Sequence, residues 1–316
     1  MFHKFISAIT VATSLVMPAA AVDWMTDFEA ARAKAAAEDK AVLLFFTGSD
    51  WCHFCNVLRY RVLDTPAFNE WSADKFVCVE IDLPARIRLS EEQLRQNHGL
   101  VKRYYVGGYP TVVVIDAAGH ALGGFTGGMT RLPDVQRALN GALTVHRHLQ
   151  LAAAAGEDTA ARAAHLAAAY AAYPDQHRRF NGWLREELEK IDPVNVTGWR
   201  ATYAAEQQME ALSAELLKIV TNRDAVLACY DRYLAEALPG NRPRILRLKE
   251  YYLNGCATIK LRNPRTVEDI MEARDLQLQA AECTDDPAER EERIRRVQEV
   301  FADPAAMLES FKKPRR

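Results

Sequence analysis

The 316 residues carry 40 Lys and Arg against 42 Asp and Glu, a formal charge of −2, with 49% hydrophobic and 26% charged residues and only 15 Gly and 13 Pro. Such a composition belongs to globular chains. It excludes a collagen, a low-complexity disordered chain and a polybasic nucleic-acid binder, because the apolar content is too high and the charge too balanced.

Met1-Phe-His-Lys4 is a short positive start, Phe5 to Met17 is uncharged and mostly apolar, and Pro18-Ala-Ala-Ala21 offers small residues ahead of Val22 and the charged Asp23. This pattern predicts a secretory signal peptide over residues 1–21, cut after Ala21. The apolar run is too short for the ~20 residues that a bilayer-spanning helix needs, and no later segment reaches that length. A periplasmic or secreted protein without a membrane span after cleavage is therefore expected, with all six cysteines in a compartment that permits disulfides.

From Asp23 to about Thr144 apolar runs alternate with amphipathic stretches. Trp24 to Glu38 reads as a helix, Ala41-Val-Leu-Leu-Phe-Phe46 as a buried strand, Trp51 to Leu63 as a helix and Lys75 to Ile81 as a second strand. Ser90-Glu-Glu-Gln93 is a capping box opening a helix toward Tyr105, with a break expected near Gly99. Thr111 to Ile115 and Ala121 to Phe125 form a predicted hairpin about Asp116-Ala-Ala-Gly119, and a helix from Leu132 to about Gln150 follows. A βαβ unit, a hairpin and a helix imply a mixed sheet covered on both faces.

The remainder reads as nearly all helix. Residues 151–172 hold 13 alanines in 22 positions and favour helix intrinsically. Prolines then recur at Tyr173-Pro-Asp175, Asp192-Pro-Val-Asn195, Leu238-Pro-Gly-Asn241, Asn263-Pro264 and Asp285-Asp-Pro287, each ahead of a new amphipathic stretch. The expected organisation is an α/β domain over 22–145 and an all-α, repeat-like domain over 146–316. Lys312-Lys-Pro-Arg-Arg316 reads as a solvated tail.

The chemistry sits at Trp51-Cys52-His53-Phe54-Cys55. Thiols at i and i+3 are neighbours on a helix, and at a helix N-terminus the first lies beside free backbone N–H groups that favour a thiolate. The same spacing also makes half of a zinc site or a structural disulfide. The other zinc half is missing, since Cys78, Cys229, Cys256 and Cys283 stand alone and His98, His146 and His148 lack ligand spacing. Cys78 reads as a buried thiol, and a hairpin about Pro239-Gly240 would bring Cys229 and Cys256 close enough for a disulfide.

The strand Ala41–Phe46, Trp51 ahead of Cys52, the Cys52/Cys55 pair and Gly108-Tyr-Pro-Thr111 ahead of a strand together resemble the thioredoxin superfamily, whose Trp-Cys-x-x-Cys motif and cis-proline loop they match. The resemblance covers about residues 23–145. Phe-Thr-Gly-Ser-Asp-Trp-Cys is also similar to secreted bacterial thioredoxin-like proteins with a helical extension. The resemblance implies a thioredoxin-like fold, an exposed attacking thiolate at Cys52, a buried resolving thiol at Cys55 and a cis Pro110. It also implies that the Tyr109 backbone pairs with a bound substrate strand beside the sulfurs, and that Trp51 packs by the site as a contact surface. The family usually keeps a buried Asp six residues before the first Cys and a Lys on the next central strand; Phe46 and Cys78 occupy those places here. Glu80, of the same strand parity as Cys78, or Asp50 is the expected substitute base. An imidazolium at His53 would stabilise the Cys52 thiolate, and Phe54 adds apolar surface for clients.

The leading expectation is a thiol–disulfide oxidoreductase needing no cofactor and no metal, acting on client proteins with cysteines and served by a redox partner protein. The alternatives are soft-metal binding, such as Cu(I) on Cys52, His53 and Cys55, and an interaction protein that acts through its helical domain.

Overall fold

The protein is described by a computed structural model over residues 22–312; the predicted signal peptide and the tail beyond Lys312 lie outside the described residues. The chain divides into two compact units between Trp199 and Arg200.

The first unit is built on β1 (Ala41–Thr47), which is buried along its whole length because it carries no polar residue before Thr47. β2 (Phe76–Asp82) pairs with it in parallel and β3 (Thr111–Ile115) antiparallel on the other side; β4 (Ala121–Thr126) pairs antiparallel with β3. The sheet is mixed, in the order β2-β1-β3-β4. Strand alternation sends Val42, Leu44 and Phe46 to one face with Val77, Val79, Ile81, Val113 and Ile115. That face is covered by α1 (Phe28–Glu38) through Phe28, Ala31 and Ala35, and by α4 (Glu91–Arg103) through Leu100 and the following Tyr104. The free edge of β2 is closed by Met25, whose N–H donates to the Cys78 carbonyl (2.9 Å) and whose carbonyl accepts from the Glu80 N–H (2.8 Å).

Other elements depart from expectation at their ends. The predicted Trp51–Leu63 helix is α2 (His53–Leu58) followed by a wider π-type turn, Arg59–Leu63. A further helix, α3 (Pro66–Ser72), was not predicted; Thr65 caps it, its hydroxyl accepting from the Phe68 N–H, and Pro66 opens it. The capping box at Ser90 and Gln93 forms, but α4 runs unbroken through Gly99, whose absent Cβ would face open space. The alanine-rich segment is not one helix. α5 (Leu132–Ala154) and α6 (Thr159–Ala172) are separated by a turn in which Gly156 takes φ +57° and Asp158 accepts from the Ala161 N–H.

The 145/146 boundary expected from sequence falls inside α5, and the first compact unit extends through α6, a 3₁₀ turn (Asp175–Phe180) and α7 (Gly182–Ile191). The physical reason is packing on the sheet. α5 lies against β4 so closely that a Cβ on Gly123 would stand 2.9 Å from the Ala142 Cβ. The buried Tyr173 donates its hydroxyl to the Ala121 carbonyl of β4 (3.0 Å), and Trp183 stacks on His120 with centroids 3.9 Å apart.

The second unit contains α8 (Trp199–Ile219), α9 (Arg223–Ala235), α10 (Arg242–Leu261), α11 (Val267–Ala281), α12 (Pro287–Val300) and α13 (Pro304–Lys312). The proline-bearing segments picked out in the sequence fall at helix boundaries, Pro287 opening α12. Cys229 and Cys256 are free thiols, which corrects the expected pairing. Cys229 packs with Leu212, Val226 and Ile245, whereas Cys256 borders a separate cluster around Leu253, Ala257 and Ile270. It is Tyr252, a turn before Cys256, that meets Tyr230 beside Cys229, so the two sulfurs belong to different turns of the hairpin.

Candidate active site

β1 ends at Thr47, level with Asp82 of β2, and the chain then turns through Gly48–Trp51 into α2. Asp82 fixes that turn: one carboxylate oxygen accepts from the Ser49 N–H (2.8 Å) and the other from its hydroxyl (2.6 Å). The Trp51 indole N–H donates to the Leu83 carbonyl (2.8 Å), which lays the ring across Gly48. A Cβ there would lie 2.2 Å from the indole, so only glycine fits. Asp50 turns the other way and accepts from the backbone N–H groups of Ala85, Arg86 and Ile87, at 2.9, 2.6 and 3.1 Å. Those bonds, the one from Ala85 foremost, hold its carboxyl below the usual aspartate range.

Cys52 is the N-cap of α2, its Sγ accepting from the Cys55 N–H at 3.2 Å. Cys52 and Cys55 form a disulfide with Cα atoms 5.3 Å apart. Cys55 is fully buried and Cys52 only 6% exposed, less open than the exposed thiol implied by the resemblance. The cause is the capping geometry, which turns the sulfur inward onto the helix end. The position is nonetheless one where backbone N–H groups and the helix dipole favour negative charge on sulfur.

Around the disulfide stand Trp51, 49% exposed, and Phe54, 64% exposed. The Tyr109–Pro110 peptide is cis, and the Tyr109 ring meets Trp51 edge to face at 5.4 Å. The Gly127 N–H donates to the Pro110 carbonyl (2.9 Å), fastening the loop to the end of β4. His53 is exposed, its ring 5.7 Å from that of Phe54.

Glu80 ends on the guanidinium of Arg59, which also lies over the rings of Phe45 (5.3 Å) and Trp24 (5.7 Å). Arg59 follows Cys55 by four residues, the spacing that sets side chains on one face of a helix. The structure thus joins Cys52, Cys55, Trp51, Phe54 and the Tyr109–Pro110 loop. It places Glu80 on Arg59 and Asp50 on a backbone loop. Cys78 is a buried mid-strand thiol, and burial pushes its pKa up to about 12, so it is no competing nucleophile. No three His, Cys, Asp or Glu side chains among the described residues converge as a metal site.

Sequence reasoning missed Gly48, Arg59 and Asp82. Arg59 had a usable signal, the i+4 spacing from Cys55; the roles of Gly48 and Asp82 depend on contacts between strands and loops that no local pattern encodes.

A family described as thioredoxin-like matches residues 23–117. A disulfide bond reductase, DsbH, from Chlamydia pneumoniae is 38% identical over 85 residues, 27% of this chain and 51% of its own. A thioredoxin-related protein, DsbJ, from the same organism is 29% identical over 92 residues, 29% of this chain and 26% of its own. The chain therefore spans about half and about a quarter of the length of these two curated relatives. A solved DsbH oxidoreductase is 30% identical, covering 42% of this chain and 95% of its own with a TM-score of 0.37.

Proposed function

We propose, from a chain whose N-terminal domain belongs to the thioredoxin superfamily, that the protein is a thiol–disulfide oxidoreductase acting on protein cysteines outside the cytoplasm. The observation that carries the reading is the Cys52–Cys55 disulfide at the start of α2, set among Trp51, Phe54 and the cis Tyr109–Pro110 loop. A structural staple gains little from so short a loop and has no use for exposed aromatic rings beside it. The signal-type pattern of residues 1–21 supports the compartment, and no described helix is long and apolar enough to cross a membrane.

In the reductive direction the Cys52 thiolate attacks one sulfur of a client disulfide; that bond breaks, a mixed disulfide forms and the other client sulfur leaves as thiolate. Cys55, deprotonated, then attacks Cys52, re-forming the internal disulfide and releasing the second client thiol. A redox partner protein returns the pair to the dithiol. Run in reverse, the same steps oxidise a client. The client strand pairs with the Tyr109 backbone, and His53 favours the Cys52 thiolate. Glu80, held on Arg59, is the base that takes the proton from Cys55 as it attacks the mixed disulfide.

The test is to trap the intermediate. A Cys55→Ser variant incubated with a disulfide-bonded peptide should accumulate a covalent adduct on Cys52, read by intact mass; a Cys52→Ser variant should give none. No adduct on either variant rejects the reading. The Glu80 role is separate: Glu80→Gln should slow resolution of the mixed disulfide at neutral pH, and an unchanged rate removes Glu80 from the mechanism.

A further inference from the structure

The register Phe46 to Thr111 to Thr126 sets both threonines at the end of the sheet from which β1 runs into the cysteine turn. Behind them lies a cavity of about 390 Å³. Tyr104 and Tyr105 close it from the end of α4, Phe125 and Thr126 from β4, and His177 and Phe180 from the 3₁₀ turn. This is near the lower end of the ~300–1,000 Å³ usual for small-ligand sites, room for one large side chain rather than an extra helix.

Its walls are rings. Phe180 lies 6.0 Å from Tyr105 and 6.2 Å from His177, the latter nearly parallel, an arrangement that suits a flat aromatic guest. Tyr105 holds φ +53°, a left-handed conformation that costs a non-glycine residue energy, and in that pose its side chain stands 69% exposed at the rim.

The polar character follows from counting protons. Thr111 gives its hydroxyl proton to the Gly108 carbonyl (2.8 Å), so in the 2.8 Å contact between the two hydroxyls Thr126 is the donor. Tyr104 donates its own hydroxyl to the Gly119 carbonyl (3.1 Å) and offers the cavity only its ring. What Thr126 has left is a lone pair, an acceptor for a guest's N–H or O–H.

We infer that this cavity is a recognition pocket for an aromatic side chain of the client polypeptide that carries a donor, tryptophan or tyrosine, near the reacting cysteine. The inference rests on the exchange reading above. Thr111 directly follows Pro110, so a client strand paired beside Tyr109 runs next to one wall of the cavity. Phe125, Thr126, His177 and Phe180 lie beyond residues 23–117, so the part of this chain outside the family match completes the pocket.

The experiment uses the reduced full-length protein and disulfide-linked homodimers of a short single-cysteine peptide, with Trp, Phe or Ala scanned at positions flanking the cysteine. Each turnover converts the protein dithiol to its disulfide and the peptide disulfide to two thiols. At one position the Trp peptide should react about tenfold faster than the Ala peptide, with Phe between them. Thr126→Val should remove the advantage of Trp over Phe. Tyr105→Ala and Phe180→Ala should bring all three peptides together; because Tyr105 is exposed, its variant keeps the test open if Phe180→Ala fails to fold. Equal rates for Trp and Ala at every position overturn the pocket and leave the exchange reading intact. So does a Trp preference that Tyr105→Ala leaves in place. No reaction with any peptide overturns both.

Discussion

Cys52 caps α2 with its own sulfur, and this one hydrogen bond ties the chemistry to the helix end. Free N–H groups at that end stabilise a thiolate whatever the neighbours, and His53 adds to it if its imidazole is charged. His53→Ala should therefore slow alkylation of reduced Cys52 by iodoacetamide at pH 7 about threefold; an unchanged rate would make the residue incidental. Gly48 is tested structurally. Gly48→Ala must displace the indole of Trp51 and should cost about 1–3 kcal/mol, read as a lower Tm with a shifted tryptophan emission. At this scale the sequence was legible where a motif carries the chemistry, at Cys52, Cys55 and Pro110, and silent where a residue serves another. Nothing local says that Gly48 exists for Trp51 or that Asp82 holds Ser49, because both contacts cross from one strand or loop to another.

At the scale of elements the strands were the most readable, since β1 and β3 are apolar apart from one terminal threonine each. The short α3 escaped because Pro66 reads as a breaker when it is in fact the first residue of a helix. The segment after β2 shows how a single side chain can hold an element. Asp50 was a candidate base, but its carboxylate is spent on three successive backbone N–H groups of the loop following Leu83. Its pKa is lowered in the folded state, so the carboxylate contributes stability above the ordinary aspartate value of about 3.9 and loses it as pH falls through the lowered folded value. The protection of the Ala85, Arg86 and Ile87 amides, taken relative to unstructured peptide at the same pH, should be high at neutral pH and fall as acid protonates Asp50. Asp50→Ala should speed tryptic cleavage at Arg86 or Arg88 several-fold at pH 8. Cleavage no faster than in the unaltered protein would mean that other contacts hold the loop.

For the whole molecule, the helical half begins in sequence before the first compact unit ends. Alanine-rich α6 looked like the start of a separate domain, because small residues announce helix but not what the helix packs against. Tyr173, reaching the carbonyl of Ala121, and Gly123, admitting α5, assign it to the sheet. A chain of residues 22–199 should then fold alone and keep the redox couple. One ending at residue 145 cuts α5, loses Tyr173 and should melt roughly 10 °C lower or more. Equal melting temperatures would place the boundary where the sequence suggested it.

The functional account rests on the Cys52–Cys55 pair being a working couple. The direct measurement is its reduction potential, taken on protein from Val22 onward in glutathione buffers. An exchange enzyme should fall between about −120 mV, typical of a strong oxidant, and about −270 mV, typical of thioredoxin, and the value will also set the direction of electron flow. A potential below about −300 mV, where structural disulfides lie, would contradict the account and make the pair a staple.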